Sequence, residues 1–228
     1  MKLSRYVIPL VVVVTFATIM TTELLTKSPR VHAQARGETQ QSRIEIGFAI
    51  APVPLNLEGK NHSLVGLGSY LVNAAMSCND CHDAGPQTQY APGRNPFFRQ
   101  PKEVDPEFYL GGGRDFGPLV PTPGSQHIVS RNLTPDKTGL PEGGRPFSEF
   151  LQIMRTGVDL DHLHPPCLAT VTTNCLPPPF DGDLLQIMPW PTFQALTDHD
   201  IRAIYEYLSA IPCIEGPPAP SVLHNDCH

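Results

Sequence analysis

One pentapeptide constrains this chain more than any other feature: Cys78-Asn79-Asp80-Cys81-His82. Two thiols separated by two residues lie about one helical turn apart, with an imidazole directly after the second. Such a pair reads as a redox dithiol, half of a zinc site, a structural disulfide, or the tether of a prosthetic group. A redox dithiol belongs in a βαβ pattern, which does not surround this one. A zinc site needs a second ligand pair, and no further Cys-x-x-Cys follows. The helical pattern before Cys78 and the export signal described below both favour attachment of one c-type haem. Two thiols on one turn reach the vinyl groups at one porphyrin edge, and His82 then meets the iron from the proximal face. The chain must fold around the group it tethers.

The second axial ligand has to come from elsewhere. There are five methionines: Met1, Met20, Met76, Met154 and Met188. The first two lie in the N-terminal segment, and Met76 sits on the attachment side. Met154 falls on the apolar stripe of an expected helix, where core packing explains it. Met188 lies in the loop Gln186-Ile187-Met188-Pro189-Trp190-Pro191, whose prolines stiffen the backbone. A thioether held this way favours Fe(II) and raises the potential relative to a second imidazole. On the residues alone, Met188 reads equally well as a ligand or as an ordinary buried methionine. His127, His162 and His164 are the imidazole alternatives, each better explained as a surface loop residue.

The N-terminus reads as an export signal. Lys2 and Arg5 precede an apolar run from Val7 to Met20, short for a membrane span, with small residues at Ala33 and Ala35. Residues 1–35 are therefore a signal peptide or an uncleaved N-terminal membrane anchor. Both readings make the rest periplasmic or otherwise extracytoplasmic. Removing that segment takes away four basic residues and one acidic residue, and the net charge falls from −6 to −9. An acidic chain is a poor partner for nucleic acid and suits a basic docking patch on another protein.

The chain has 228 residues, 26 of them proline and 18 glycine, which disfavours long regular elements. Residues 36–60 lack periodicity and read as a linker or extension. Leu67, Tyr70, Leu71 and Ala74 form one helical face that runs into Cys78. Residues 83–131 read as a long loop region with room for a helical turn or a hairpin. A second helix is expected over Pro146 to Thr156, its stripe Phe147, Phe150, Leu151 and Met154, its stop Gly157. Residues 158–191 return to loop. A third helix follows Thr197 and Asp200, a variant capping box, with Ile201, Ile204, Tyr205, Leu208 and Ile211 on its stripe and Pro212 at its end.

These segments, taken together, resemble class I-like cytochromes c, and most of all the cytochrome c modules associated with periplasmic dehydrogenases. The likeness is carried by Gly68-Ser69-Tyr70-Leu71-Val72 before the attachment motif and by Asn132-Leu133-Thr134-Pro135-Asp136. Met154-Arg155-Thr156-Gly157-Val158, Met188-Pro189-Trp190-Pro191-Thr192-Phe193 and Leu196-Thr197-Asp198 through Leu208 complete it. The resemblance implies an all-α cytochrome c fold, three main helices around one covalent haem, over residues 61–215, with long loop insertions at 83–131 and 158–183. Residues 216–228 are then a C-terminal tail. It implies that Cys78 and Cys81 bind haem c covalently, that His82 and Met188 are the axial ligands, and that Trp190, Asn132 and Thr134 lie near the propionates. Gly68 and Tyr70 would meet Tyr207 where the first and last helices cross. Pro86, or else Pro92, would orient His82 through a backbone carbonyl.

Four cysteines remain, and sequence proximity pairs them as Cys167–Cys175 and Cys213–Cys227, as an exported chain permits. The expected function is one-electron transfer between redox proteins, by an electron carrier rather than an enzyme. The partners this implies are a periplasmic dehydrogenase or a membrane electron-transport complex. The alternatives are a five-coordinate haem enzyme or gas sensor, with Met188 mere packing, and an assembly subunit whose loops outweigh its redox role. A di-haem peroxidase would need a second attachment motif, and the sequence has one.

Overall fold

The computed structural model describes residues 40–120, 126–168, 175–218, 221 and 223–228. Residues 43–228 form one compact unit; of the preceding unit, Met1–Ser42, residues 40–42 are described and are helical. The expected signal or anchor at 1–35 lies outside the described residues. Among the described residues, no helix is long and apolar enough to cross a membrane.

Helix α2, His62–Tyr70, organises the unit. Asn61 caps it, its side-chain oxygen accepting the Leu64 N–H at 3.2 Å. The expected stripe of Leu67, Tyr70, Leu71 and Ala74 covers only part of what is buried: Val65, Gly66, Gly68, Ser69 and Val72 are buried as well, and Ala74 is exposed. The cause is that α2 lies between two other helices. On one face a Cβ at Gly66 would overlap Ile44 and Phe48 of α1 (residues 43–50), and the Ser69 hydroxyl donates to the Gly47 carbonyl at 2.6 Å. On the other face a Cβ at Gly68 would overlap the Ala203 carbonyl and Tyr207. Two glycines thus let three helix backbones approach closely. Tyr70 does not join that crossing in the way expected; its ring lies under the Arg43 guanidinium, 5.8 Å from the centroid.

Residues 36–60 do not read correctly as a linker throughout. Ile44 and Val53 are buried, and Phe48, Leu55 and Leu57 pack on the same core. Ile44, Gly47, Phe48 and Ala51 fall at i, i+3, i+4 and i+7, a short helical face that the linker reading overlooks. The first helix also does not run straight into Cys78. It passes through a π-helical turn, Leu71–Ala75, and breaks at Ser77, whose φ is 51°. Cys78–Asp80 then forms a separate 3-10 turn.

Helix α3, Phe147–Thr156, has Pro146 at its cap and Gly157 at φ 70° just beyond its end. Its buried residues are Phe150, Ile153 and Met154. A one-turn helix α4, Trp190–Phe193, leads to α5, Asp198–Leu208. Thr197 caps α5 by accepting the Asp200 N–H at 3.1 Å. Ile201, Ile204 and Leu208 are buried on it, each stabilising the core by about 1.5–3 kcal/mol. Between α2 and α3 the long insertion is ordered. It holds a 3-10 turn at Pro96–Phe98 and the antiparallel pair β1, Asp115–Pro118, with β2, His127–Val129. The unit is therefore helical with a small two-stranded sheet, an element that an all-α expectation omits.

The described residues beyond 215 are not a loose tail. Asn225 is buried and donates to the Thr134 carbonyl at 2.9 Å, and Cys213–Cys227 is a disulfide with its Cα atoms 5.8 Å apart. Cys167–Cys175 is the other disulfide. Both pairings agree with the expectation from sequence proximity.

Candidate functional site

A cleft opens between the Cys78–Asp80 turn, β2, the helices α3 and α5, and the loop before α4. Its space between atoms amounts to about 1200 Å³, part of it open to solvent. Cys78, Cys81 and His82 line one side, together with Met76. Met188 lines it as well, from far along the chain, with Leu185, Ile187 and Pro189. Phe150, Ile153 and Met154 of α3 and Ile204 and Leu208 of α5 make its apolar floor. The break at Ser77 and the short turn after it bring both thiols and the imidazole to one wall.

The His82 ring is oriented by a backbone carbonyl. Its Nδ1 lies 2.8 Å from the Arg131 carbonyl oxygen. A carbonyl only accepts, so Nδ1 carries the proton and Nε2 keeps its lone pair. Burial moves the His82 pKa below its ordinary value, which keeps the ring neutral and able to ligate. The orienting carbonyl is thus Arg131, not Pro86 or Pro92. A group so far away in sequence gave no local signal.

The two thiols are not bonded to each other. Burial, then the neighbouring Cys81, pushes the Cys78 thiol up to about 12. Burial raises that of Cys81 too. Both stay protonated at neutral pH, which argues against an activated thiolate or a reactive redox dithiol.

Met188 is set by its backbone. Ile187 has φ 68°, costly for a β-branched residue, and the Met188 N–H donates to the Gln186 carbonyl at 2.8 Å. Trp190 braces the same loop. Its indole N–H donates to the Leu185 carbonyl at 3.1 Å, and its ring lies against Gly157, where any Cβ would overlap it. Trp190 thus supports the loop from behind and is not a lining residue of the cleft.

Asn132 and Thr134 do not line the cleft either. The Asn132 amide donates to the Ile214 and Leu223 carbonyls at 2.8 and 3.1 Å, and its oxygen accepts from the Thr134 N–H and hydroxyl. Both are buried and hold the C-terminal segment in place. The resemblance assigned this polar pair to a ligand contact, yet its hydrogen bonds are spent on the fold.

Arg131 and Glu142 are charged lining residues that the sequence did not single out for this role. Arg131 pairs with Asp159 at 2.5 Å and with Asp161 at 3.1 Å. Burial would raise the Asp159 carboxyl, but hydrogen bonds from His164 and Arg131 hold it far below the usual range. Burial pushes Glu142 up to about 7, against the pull of Arg145 and Arg131. Of the three alternative histidines, His164 alone lines the cleft. Its Nε2 faces the His127 carbonyl at 3.3 Å and its Nδ1 faces Asp159 at 3.7 Å, so neither nitrogen is open. His127 pairs with Asp115 and His162 with Asp183, both exposed.

The cleft fits a tethered haem by its chemistry: an apolar floor, two thiols beside a neutral imidazole with Nε2 free, and a thioether on a stiff loop. No three His, Cys, Asp or Glu side chains among the described residues converge as a cluster for a bare metal ion. No protein-family model, curated protein or solved structure matches this chain.

Proposed function

We propose that this protein is a mono-haem c-type cytochrome that passes single electrons between redox proteins outside the cytoplasm. The observation that carries the reading is that Cys78, Cys81, His82 and Met188 line one cleft although Met188 lies far from the other three in sequence. The crossing of α2 and α5 with α3 beside them supports a class I-like cytochrome c fold with long insertions. Two disulfides support an oxidising compartment, and the export-like N-terminus a periplasmic one.

In this reading Cys78 and Cys81 tether the haem, and His82 and Met188 bind its iron. The bound haem supplies reversible one-electron exchange. The protein supplies rigidity: Arg131 fixes the imidazole, while Ile187 and Trp190 fix the thioether loop. Two fixed ligands keep reorganisation small in both oxidation states. The apolar floor keeps water from the cofactor faces and so raises the potential along with the thioether. Met188 is preferred to Met154, which is buried on a core helix, and to His164, whose nitrogens are engaged.

The test is the optical spectrum of the exported protein. A c-type α-band on reduction, pigment that survives denaturation, and a weak near-infrared sulfur–iron band after oxidation are expected. Replacing Cys78 and Cys81 together by alanine should abolish the covalent pigment. A double variant that retains it would refute the reading.

A further inference from the structure

The insertion after the attachment turn carries a feature that electron exchange alone does not use. Phe97 and Phe98 are 80% and 73% exposed, more than any other large hydrophobic side chains among the described residues. They are not there through looseness. Asn95 accepts the Phe97 N–H on its side chain at 2.9 Å and the Phe98 N–H on its carbonyl at 3.0 Å. The Gln100 side chain accepts the Asn95 N–H at 2.9 Å. The stem below is closed by backbone bonds between Arg94 and Glu103 and between Ala91 and Glu103, and by the ion pair of Arg94 with Glu103 at 3.1 Å. A loop this well bonded presents both rings to water in a fixed pose, which is how an interface anchor saves ordering entropy on binding.

Its position and charge say what it meets. Tyr90 at the stem stacks edge-on with Phe97, centroids 6.3 Å apart, and the neighbouring Gln89 donates to the Asp80 carboxylate at 2.5 Å. The knob is therefore strapped to the turn that carries the exposed Cys81. Arg99 and Lys102 follow the two rings in sequence and are exposed, and neither forms an ion pair among the described residues. These two cations are a local exception on a chain of net charge −6, whose acidic surface as a whole suits a basic patch.

We propose that the Pro96–Phe98 knob is the docking element for an electron-exchange partner protein, one with an apolar depression rimmed by Asp and Glu. The proposal rests on the cytochrome reading and adds the surface and the partner's chemistry. Phe97 and Phe98 enter the depression while Arg99 and Lys102 meet the acidic rim. This seats the attachment edge of the haem cleft against the partner. A lipid surface fits less well. Two cations give little attraction to anionic headgroups, and two exposed rings bury too little apolar area to hold a membrane surface.

The experiment uses the reduced holoprotein and the membrane and periplasmic fractions of the source cells as electron acceptors, with oxidation followed at the α-band. F97S/F98S and R99E/K102E are compared with the parent, and ferricyanide serves as a small oxidant that needs no docking. At least a tenfold slower oxidation by the active cell fraction is expected for both variants, with unchanged ferricyanide rates and melting temperatures. The parent's rate should fall with added salt, and that of R99E/K102E should not. Equal rates for parent and variants, or no oxidation of the parent by either fraction, would overturn the docking proposal. So would parent-only binding to phosphatidylglycerol/phosphatidylethanolamine vesicles without a change in oxidation rate. Failure of the parent to be reduced and reoxidised even with ferricyanide would instead overturn the cytochrome reading.

Discussion

The Arg131 carbonyl oxygen sits 2.8 Å from His82 Nδ1, and the backbone of Gly112 packs against that same carbonyl. Gly112 has φ 71°, and its N–H donates to the His82 carbonyl at 2.9 Å. One glycine therefore touches both ends of the contact that orients the ring. A Cβ at this position would displace the Arg131 peptide and strain the backbone. Gly112→Ala is expected to lower stability by about 1–3 kcal/mol. It should also weaken the axial field at the iron. Thermal melting and the near-infrared band of the oxidised protein check both effects; an unchanged band would show that the carbonyl does not set the ring.

Met188→Ala should leave the covalent pigment in place and open the sixth position. The reduced variant is expected to bind carbon monoxide rapidly at neutral pH, where the parent does not. The variant's potential should fall with loss of the thioether. Rapid binding by the parent would instead favour the five-coordinate enzyme or sensor reading.

Glu142 makes stability depend on pH. Its folded pKa, about 7, lies above the ordinary 4.5, so the folded state holds this proton more tightly than the unfolded chain. Stability from this group is full below the ordinary value and is lost as pH rises towards the folded one. Glu142→Gln removes that loss. The variant should exceed the parent by up to about 3 kcal/mol at pH 8 and match it near pH 4. Denaturant unfolding at both pH values measures the difference. Asp159 works in the opposite sense, with stability present above the ordinary carboxylate range and lost on acidification.

Replacing Cys213 and Cys227 together by alanine should lower unfolding free energy by about 3 kcal/mol, the loop-closure value for a bridge of this span. The haem spectrum should be unchanged, because the bridge ties the C-terminal segment and neither cysteine lines the cleft. Calorimetry and optical spectra test the two halves of the statement separately.

Local signals carried much of this protein. The Cys-x-x-Cys-His pentapeptide, the Gly157 stop, the Thr197 cap and the two short-range cysteine pairs are each written in a few consecutive residues, because capping and short loop closure are local physics. The α3 and α5 stripes were legible for the same reason, each having one face toward the core. The α2 stripe was half legible, since a helix packed on two faces has no single apolar side and keeps its glycines where neighbours approach.

The sequence by itself set out the candidate chemistry: two thiols and an imidazole in one pentapeptide, and a methionine on a proline-stiffened loop. Tertiary structure alone decided what surrounds them. It chose Arg131 to orient His82, turned Asn132 and Thr134 to bracing the C-terminal segment, and placed Glu142 in the cleft wall. It also folded residues 43–57 into the core. Such assignments depend on which backbone groups and charges meet across long stretches of chain. A hydrogen bond or a buried charge is satisfied in space, and nothing in the neighbouring residues records which distant partner will do it.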